Sequence, residues 1–207
     1  MTRRLWGRAS SGNVQKALWA LDELGLPYEA IEAGGAHGIV GEAAYRAMNP
    51  NGLVPTLEED GFVLWESNAI LRYLAHAHGG PLALPEEPRA RARVDQWLDW
   101  QATSFTPAMR DAFLQLVRLA AEKRDAAVIE ASRASSERCA ALLDRHLAGT
   151  PFVAGEHFSI ADIAVGLAAN RWFQLPLARE ERPGIRRWLA TLAQRPASSA
   201  VLSLPLT

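Results

Sequence analysis

The chain has 207 residues, 49 % hydrophobic and 22 % charged, enough apolar material for one large core or two small ones. A formal net charge of −1 gives no bulk sign of nucleic-acid or anionic-membrane binding, and a single cysteine, Cys139, excludes an intramolecular disulfide or a thiolate metal cluster. No apolar run reaches the ~20 residues that cross a bilayer, and the start Met1-Thr2-Arg3-Arg4-Leu5-Trp6-Gly7 turns polar within ten residues and does not read as a secretory signal, so a reducing cytoplasm is the expected location.

Leu5-Trp6 reads as a short strand ending at Gly7-Arg8, and Ala9-Ser10-Ser11-Gly12-Asn13 as a loop. Val14, Ala17, Leu18, Leu21 and Leu24 then repeat at helical spacing until Gly25 stops them. Pro27 opens a second strand over Tyr28–Glu32, so the start is a βαβ unit whose strands are expected parallel. Residues 33–53 have weak periodicity, with a short helix expected over Glu42–Met48. Val54–Glu58 and Phe62–Trp65 are two strands joined by a tight turn at Glu59-Asp60-Gly61. A helix follows from Ser67 to about Ala77, closed by Gly79-Gly80.

The stretch Pro81–Pro88, with Pro81, Pro85 and Pro88, reads as an interdomain linker. Beyond it every pattern is helical: Arg89 to about Glu122, Asp125–Leu147, a helix from Ser159, and one over Gly184–Gln194. The expected fold is an α+β first domain over 1–80 (βαβ then ββα), a linker over 81–88, and an all-α domain over 89–207.

Ser159-Ile160-Ala161-Asp162 carries the clearest local signal. A hydroxyl acceptor at the N-cap and a carboxylate three residues on form a capping box, with Phe158 and Ile163 placed for a hydrophobic staple. Its role is structural, and Asp162 is not read as an active-site acid. Val54-Pro55 reads first as a proline at the beginning of a strand; with a cis bond, the Val54 backbone would instead face outward to pair with a peptide ligand. Glu66-Ser67-Asn68, where strand meets helix, reads as an N-cap with a first-turn acid, or as a site for a group bearing both an amine and a carboxylate. Ser10-Ser11-Gly12-Asn13 likewise reads as a cap (Ser11 or Asn13) that also suits a thiolate, whose pKa falls at a helix N-terminus. The tryptophans read as core, some lining a cleft. His37, His76, His78, His146 and His157 show no metal spacing, since His76 and His78 at i, i+2 do not share a helix face.

Four segments in order give these features a common meaning: Leu5-Trp6-Gly7-Arg8 through Leu24-Gly25-Leu26-Pro27, Asn49-Pro50-Asn51-Gly52-Leu53-Val54-Pro55-Thr56-Leu57, Trp65-Glu66-Ser67-Asn68 with its helix, and Phe152–Asp162. With them the chain resembles the glutathione S-transferase superfamily, in its bacterial, theta-like, serine-type form, along essentially its whole length. The resemblance implies a thioredoxin-like first domain, glutathione as co-substrate with no metal, and a homodimer. It also implies that Pro55 is cis, that the Val54 backbone holds the cysteinyl part of glutathione, and that Glu66 and Ser67 hold the γ-glutamyl end. Ser11 falls at the family's thiolate-stabilising position, with Ser10 and Asn13 as rivals. No tyrosine precedes Tyr28 and no cysteine lies in the first loop, so tyrosine-type and cysteine-type chemistry do not match. Leu53 stands where many members carry a base for the glycyl carboxylate; Arg8, His37 and Asn51 are the substitutes in reach.

The implied activity is conjugation of the glutathione thiolate to a small electrophile, in detoxification. The electrophile is expected between the domains, near Trp100, Ser104, Phe105, Met109 and Trp172. The alternatives are a non-catalytic ligand-binding or interaction protein on the same scaffold, and a glutathione-dependent peroxidase, disulfide reductase or dehalogenase.

Overall fold

A computed structural model of the chain describes residues 2–206. It divides into two compact units, the first running to Leu84 and taking in Pro196–Val201, the second covering Pro85–Arg195 and resuming at Leu202.

In the first unit, Arg3–Trp6 forms β1, Gly12–Glu23 α1, Glu29–Ile31 β2, Ala43–Met48 α2, Thr56–Glu59 β3, Phe62–Trp65 β4 and Ser67–His78 α3. The four strands make one sheet in the order β2-β1-β3-β4. β1 and β2 run parallel, while β1–β3 and β3–β4 are antiparallel. The expected βαβ and ββα units thus share one sheet, with β1 and β3 at its centre. Leu5 lies opposite both Ala30 and Leu57, and Leu5 and Leu57 are buried. α1 packs beside α3, and their apolar stripes, Val14, Ala17 and Leu21 on one and Ile70, Leu71 and Leu74 on the other, are buried. Asp60 (φ 47°) and Gly61 (φ 86°) supply the two positive φ angles of a primed hairpin turn. β3 begins at Thr56, two residues later than the sequence suggests, because Pro55 has no N–H to give the ladder.

A buried polar cluster holds the far end of this sheet. Arg3 and Glu59 face each other across β1 and β3 and form an ion pair. The Tyr73 hydroxyl donates to Glu59 at 2.6 Å, and His78 Nε2 lies 3.2 Å away. Burial alone would raise the Glu59 carboxyl, but the hydrogen bonds from Tyr73 and Arg3 outweigh it and hold it below its ordinary range. The same bond pushes the Tyr73 phenol up to about 12.

The second unit is helical: α4 (Pro88–Trp100), α5 (Thr106–Phe113), α6 (Ala126–Leu147), α7 (Ile160–Gln174) and α8 (Pro183–Ala193). A short α9 (Ser199–Leu202), absent from the sequence reading, spans the junction of the two units near the C-terminus. The single helix expected over 89–122 is interrupted by π-helical turns at Gln101–Phe105 and Leu114–Arg118. Pro107 has no N–H for the carbonyl of Thr103. The Ser132 hydroxyl stands between the Ala112 N–H (3.0 Å) and the Ala108 carbonyl (2.6 Å), breaking the ladder a second time. The run ends at Arg118, where Arg124 donates to the carbonyls of Leu116 and Leu119.

α7 crosses the centre of this unit with most of its residues buried. Its first turn holds the capping box read from sequence. Asp162 Oδ2 accepts from the Ser159 N–H (2.9 Å) and hydroxyl (3.1 Å), and Oδ1 from the Val153 N–H and Trp188 Nε1, both at 3.0 Å. Among the described residues no helix is long and apolar enough to cross a membrane.

Candidate functional site

Three chain segments of the first unit converge beside the end of β1. Gly7, at the end of β1, is packed so closely that a Cβ there would meet Val14 at 2.4 Å and Val54 at 3.3 Å, and its φ of 152° also disfavours a side chain. The missing Cβ lets the β1–α1 loop lie against the Val54 loop.

Ser11 is the N-cap of α1, with extended backbone (φ −80°, ψ 120°). Its N–H donates to the Arg8 carbonyl at 3.0 Å, and its carbonyl accepts from Gln15 at 2.9 Å. The hydroxyl makes no bond to the helix it begins, so it is not consumed by capping. Gln15 Nε2 ties the loop by donating to the Ala9 carbonyl at 2.9 Å.

The second segment ends at the cis Val54-Pro55 bond. It is held from behind by a buried polar cluster. The Tyr45 hydroxyl donates to the Leu53 carbonyl at 2.7 Å and lies 2.8 Å from Thr56 Oγ1. Asn49 Nδ2 donates to the same carbonyl (2.9 Å) and to Thr56 (3.1 Å), while Asn49 Oδ1 accepts from the Asn51 N–H (3.1 Å) and amide (3.2 Å). The Leu53 carbonyl and the Thr56 hydroxyl, flanking the bond, are thus engaged. Val54 is not: among the described residues its N–H and C=O have no hydrogen-bond partner.

The third segment is the turn from β4 into α3. Glu66, the N-cap, has φ 71° and ψ 112°, a strained conformation for a non-glycine residue, and makes no side-chain cap. Its carboxylate is exposed. Glu66 therefore supplies no side-chain acceptor to the first amides of α3. Ser67 is buried (6 % exposed), and its Oγ accepts from Lys16 Nζ at 3.2 Å, while Asn68 Oδ1 accepts from the same ammonium at 2.9 Å.

Between the segments lie two adjoining recesses. One is lined by Asn13, Asn49, Asn51, Leu53, Val54, Pro55, Trp65, Glu66 and Ser67. The other, of about 300 Å³, is lined by Arg8, Ser11, Asn13, Gly34, Gly35, Val40, Gly52, Leu53 and Val54. Val54, Leu53 and Asn13 border both. An anion-favouring helix start at one end, an unpaired extended backbone in the middle and a free hydroxyl beside it suit a short peptide with a carboxylate terminus and a polar reacting group.

The sequence candidates distribute unevenly. Ser11, Asn13, Asn51, Val54, Pro55, Glu66 and Ser67 line the recesses; Ser10 lies outside both. His37 also lies outside, with its ring 3.3 Å from Glu32. Arg8 lines the larger recess beside Gly34 and Gly35, where a Cβ would come within 3.1 and 3.4 Å of its side chain, and it has no ion-pair partner among the described residues. In the helical unit, Phe105, Met109 and Trp172 are buried in the core, whereas Trp100 and Ser104 are half-buried. Trp100 meets Trp97 edge to face and Phe105 at a tilt, with ring centres 5.1 and 5.2 Å away.

The sequence reading missed Lys16, Asn49 and Tyr45. Lys16 interrupts the apolar stripe of α1 and reads there as one more solvated charge; only the approach of α1 to α3 shows that it is buried.

The glutathione S-transferase N-terminal domain family matches residues 5–82, and the C-terminal domain family matches residues 126–191. The chain is 42 % identical over 205 residues to glutathione S-transferase GstB of Escherichia coli K12, covering 98 % of this chain and 99 % of the relative. It is 30 % identical over 201 residues to the disulfide-bond oxidoreductase YfcG of the same organism, covering 94 % and 92 %. Among solved structures, the theta class glutathione S-transferase of Xanthomonas axonopodis pv. citri with glutathione bound superposes with a TM-score of 0.95 at 43 % identity, covering 100 % of this chain and 99 % of that one.

Proposed function

The chain belongs to the glutathione S-transferase family, and on that premise we propose that it holds glutathione along the Val54 loop and transfers its thiolate to a small electrophile. The observation that carries this reading is the unpaired Val54 backbone between a free Ser11 hydroxyl and the uncapped start of α3. The cysteinyl segment pairs with the Val54 N–H and C=O as an added strand does. Glu66 receives the γ-glutamyl ammonium, and Ser67 with the α3 amides receives its carboxylate. Ser11, rather than Ser10, donates to the sulfur, with Asn13 adjacent. Lowering the thiol pKa by one unit is worth about 1.4 kcal/mol, within reach of one hydroxyl and a helix end. The thiolate then forms a C–S bond to the electrophilic carbon as the leaving group departs with its electron pair. Asn51 and Arg8 are the candidates for the glycyl end, since His37 faces Glu32 and Leu53 is apolar. Of the proposed electrophile contacts, Trp100 and Ser104 retain exposed surface, and Phe105, Met109 and Trp172 support them from the core.

A cytoplasmic homodimer acting in detoxification completes the proposal; Phe62, 48 % exposed on the edge strand β4, supports a partner surface. A second reading, glutathione-dependent disulfide reduction at the same site, is favoured by the likeness to YfcG. Titration with glutathione, read by the fluorescence of Trp65 in the recess, tests binding, and chlorodinitrobenzene against a glutathione-linked disulfide tests the chemistry. Failure to bind glutathione at millimolar concentration removes the proposal.

A further inference from the structure

Lys16 is a buried charge that the site as described does not use. It lies on α1 with 4 % exposure, whereas lysine is almost never fully buried without polar partners. Its Nζ is 3.2 Å from Ser67 Oγ and 2.9 Å from Asn68 Oδ1, the first two residues of α3. Ser67 lines the recess on its other side.

An ammonium has three donors and no acceptor. In the Lys16–Ser67 bond Ser67 must therefore accept, and its own proton is directed away from Lys16. A hydroxyl whose lone pair is held by a cation is a stronger donor to an anion on the far side. The bond to Asn68 fixes which side of that amide faces α1, and with it the first turn of α3. We propose that Lys16 is a positioning residue for the γ-glutamyl end of glutathione, acting through Ser67 by orienting its hydroxyl toward the bound carboxylate. This inference rests on the proposed glutathione site.

The test compares wild type, Lys16→Met, which keeps the stem and loses the charge and donors, and Lys16→Arg, which keeps both. Each is titrated with glutathione and with cysteinylglycine, which lacks the γ-glutamyl group, and assayed for kcat and KM with chlorodinitrobenzene. Lys16→Met is expected to raise the glutathione Kd and KM about ten-fold, the scale of one charge-assisted hydrogen bond, with kcat at saturating glutathione within about two-fold. Cysteinylglycine affinity should not change, and Lys16→Arg should restore most of the glutathione affinity. Equal losses for the two thiols would make Lys16 a clamp between α1 and α3 and overturn the inference, as would unchanged glutathione affinity in Lys16→Met. If Lys16→Met fails to fold, Lys16→Gln, which keeps an uncharged donor, makes the same comparison. Wild type that binds no glutathione defeats the proposed function; wild type that binds while the variants match it defeats only the role of Lys16.

Discussion

α7 begins beside Ser159 and α3 at Ser67, and their first turns are in opposite states. At α7 the hydroxyl caps, the carboxylate of Asp162 accepts four donors, and the residue is fully buried. At α3 the N-cap side chain does not cap, Glu66 sits at φ 71° with an exposed carboxylate, and the serine is held from behind by Lys16. Both segments read as cap chemistry in sequence. The difference lies in what the helix start faces: at α7 it is answered within the fold by Ser159 and Asp162, and at α3 Glu66 and Ser67 border a recess. A saturated helix start stabilises, whereas an unsaturated one stores binding capacity at a cost in stability.

That contrast is tested first where its effect is largest. Asp162→Ala leaves four donors without their acceptor, those of Val153 and Trp188 fully buried, and is expected to cost about 3–5 kcal/mol of stability, read from urea unfolding. A loss under about 1 kcal/mol would end the claim that the saturated start of α7 stabilises the fold. Its pH dependence has a definite sign. Burial pushes the Asp162 carboxyl up from 3.8 to about 6, against the hydrogen bonds from Val153, Ser159 and Trp188. The folded state then keeps the proton where the unfolded chain has released it, so this contribution weakens as pH rises from about 4 through about 6. Glu59 runs the other way: its folded carboxyl lies below its ordinary 4.5, so its contribution is present at neutral pH and is lost as pH falls below that value. Asp162→Asn should flatten the first slope and Glu59→Gln the second.

At α3 the expected outcome is reversed. Glu66→Gly removes a side chain from a backbone conformation that penalises one, and it removes the charge proposed to hold an ammonium. Thermal melting should show a variant at least as stable as wild type, while glutathione affinity falls about ten-fold. A variant that melts lower and binds normally would make Glu66 an ordinary cap. Ser11→Ala is smaller still in binding: the glutathione Kd should hold within about two-fold, while the pKa of the bound thiol, followed by thiolate absorbance, rises by about one unit. An unchanged thiol pKa would pass the role to Asn13.

Much of this was legible in the chain. The βαβ-ββα order, the helical second half and the Ser159 box are local patterns, and local patterns survive in sequence. The interruption of the long helix was half visible: Pro107 is explicit, but the insertion of Ser132 arises from the packing of α6 on α5. The site was legible where it is made of backbone conformations, at Val54-Pro55 and Glu66-Ser67. It was not legible where distant side chains meet, as with Lys16 at α3, Tyr45 with Thr56, or the retreat of Phe105, Met109 and Trp172 into the core. An apolar residue at helical spacing signals burial, not which surface it faces.

The smallest effect concerns the end of the recess opposite α3. Leu53 is 65 % exposed and carries no charge, and His37 is drawn toward Glu32, so neither offers a free cation. Arg8 does, resting over Gly34 and Gly35, where any larger residue would press on its side chain. A half-exposed guanidinium facing a carboxylate contributes modestly, because water and salt screen it, and Arg8→Ala is expected to weaken glutathione about three-fold at low ionic strength. The loss should shrink in high salt, and it should vanish for glutathione with its glycyl carboxylate converted to an amide. If Arg8→Ala weakens the amide and the free acid alike, the residue shapes the loop rather than reading the charge, and the glycyl end is left to the amide of Asn51 at the border of the smaller recess.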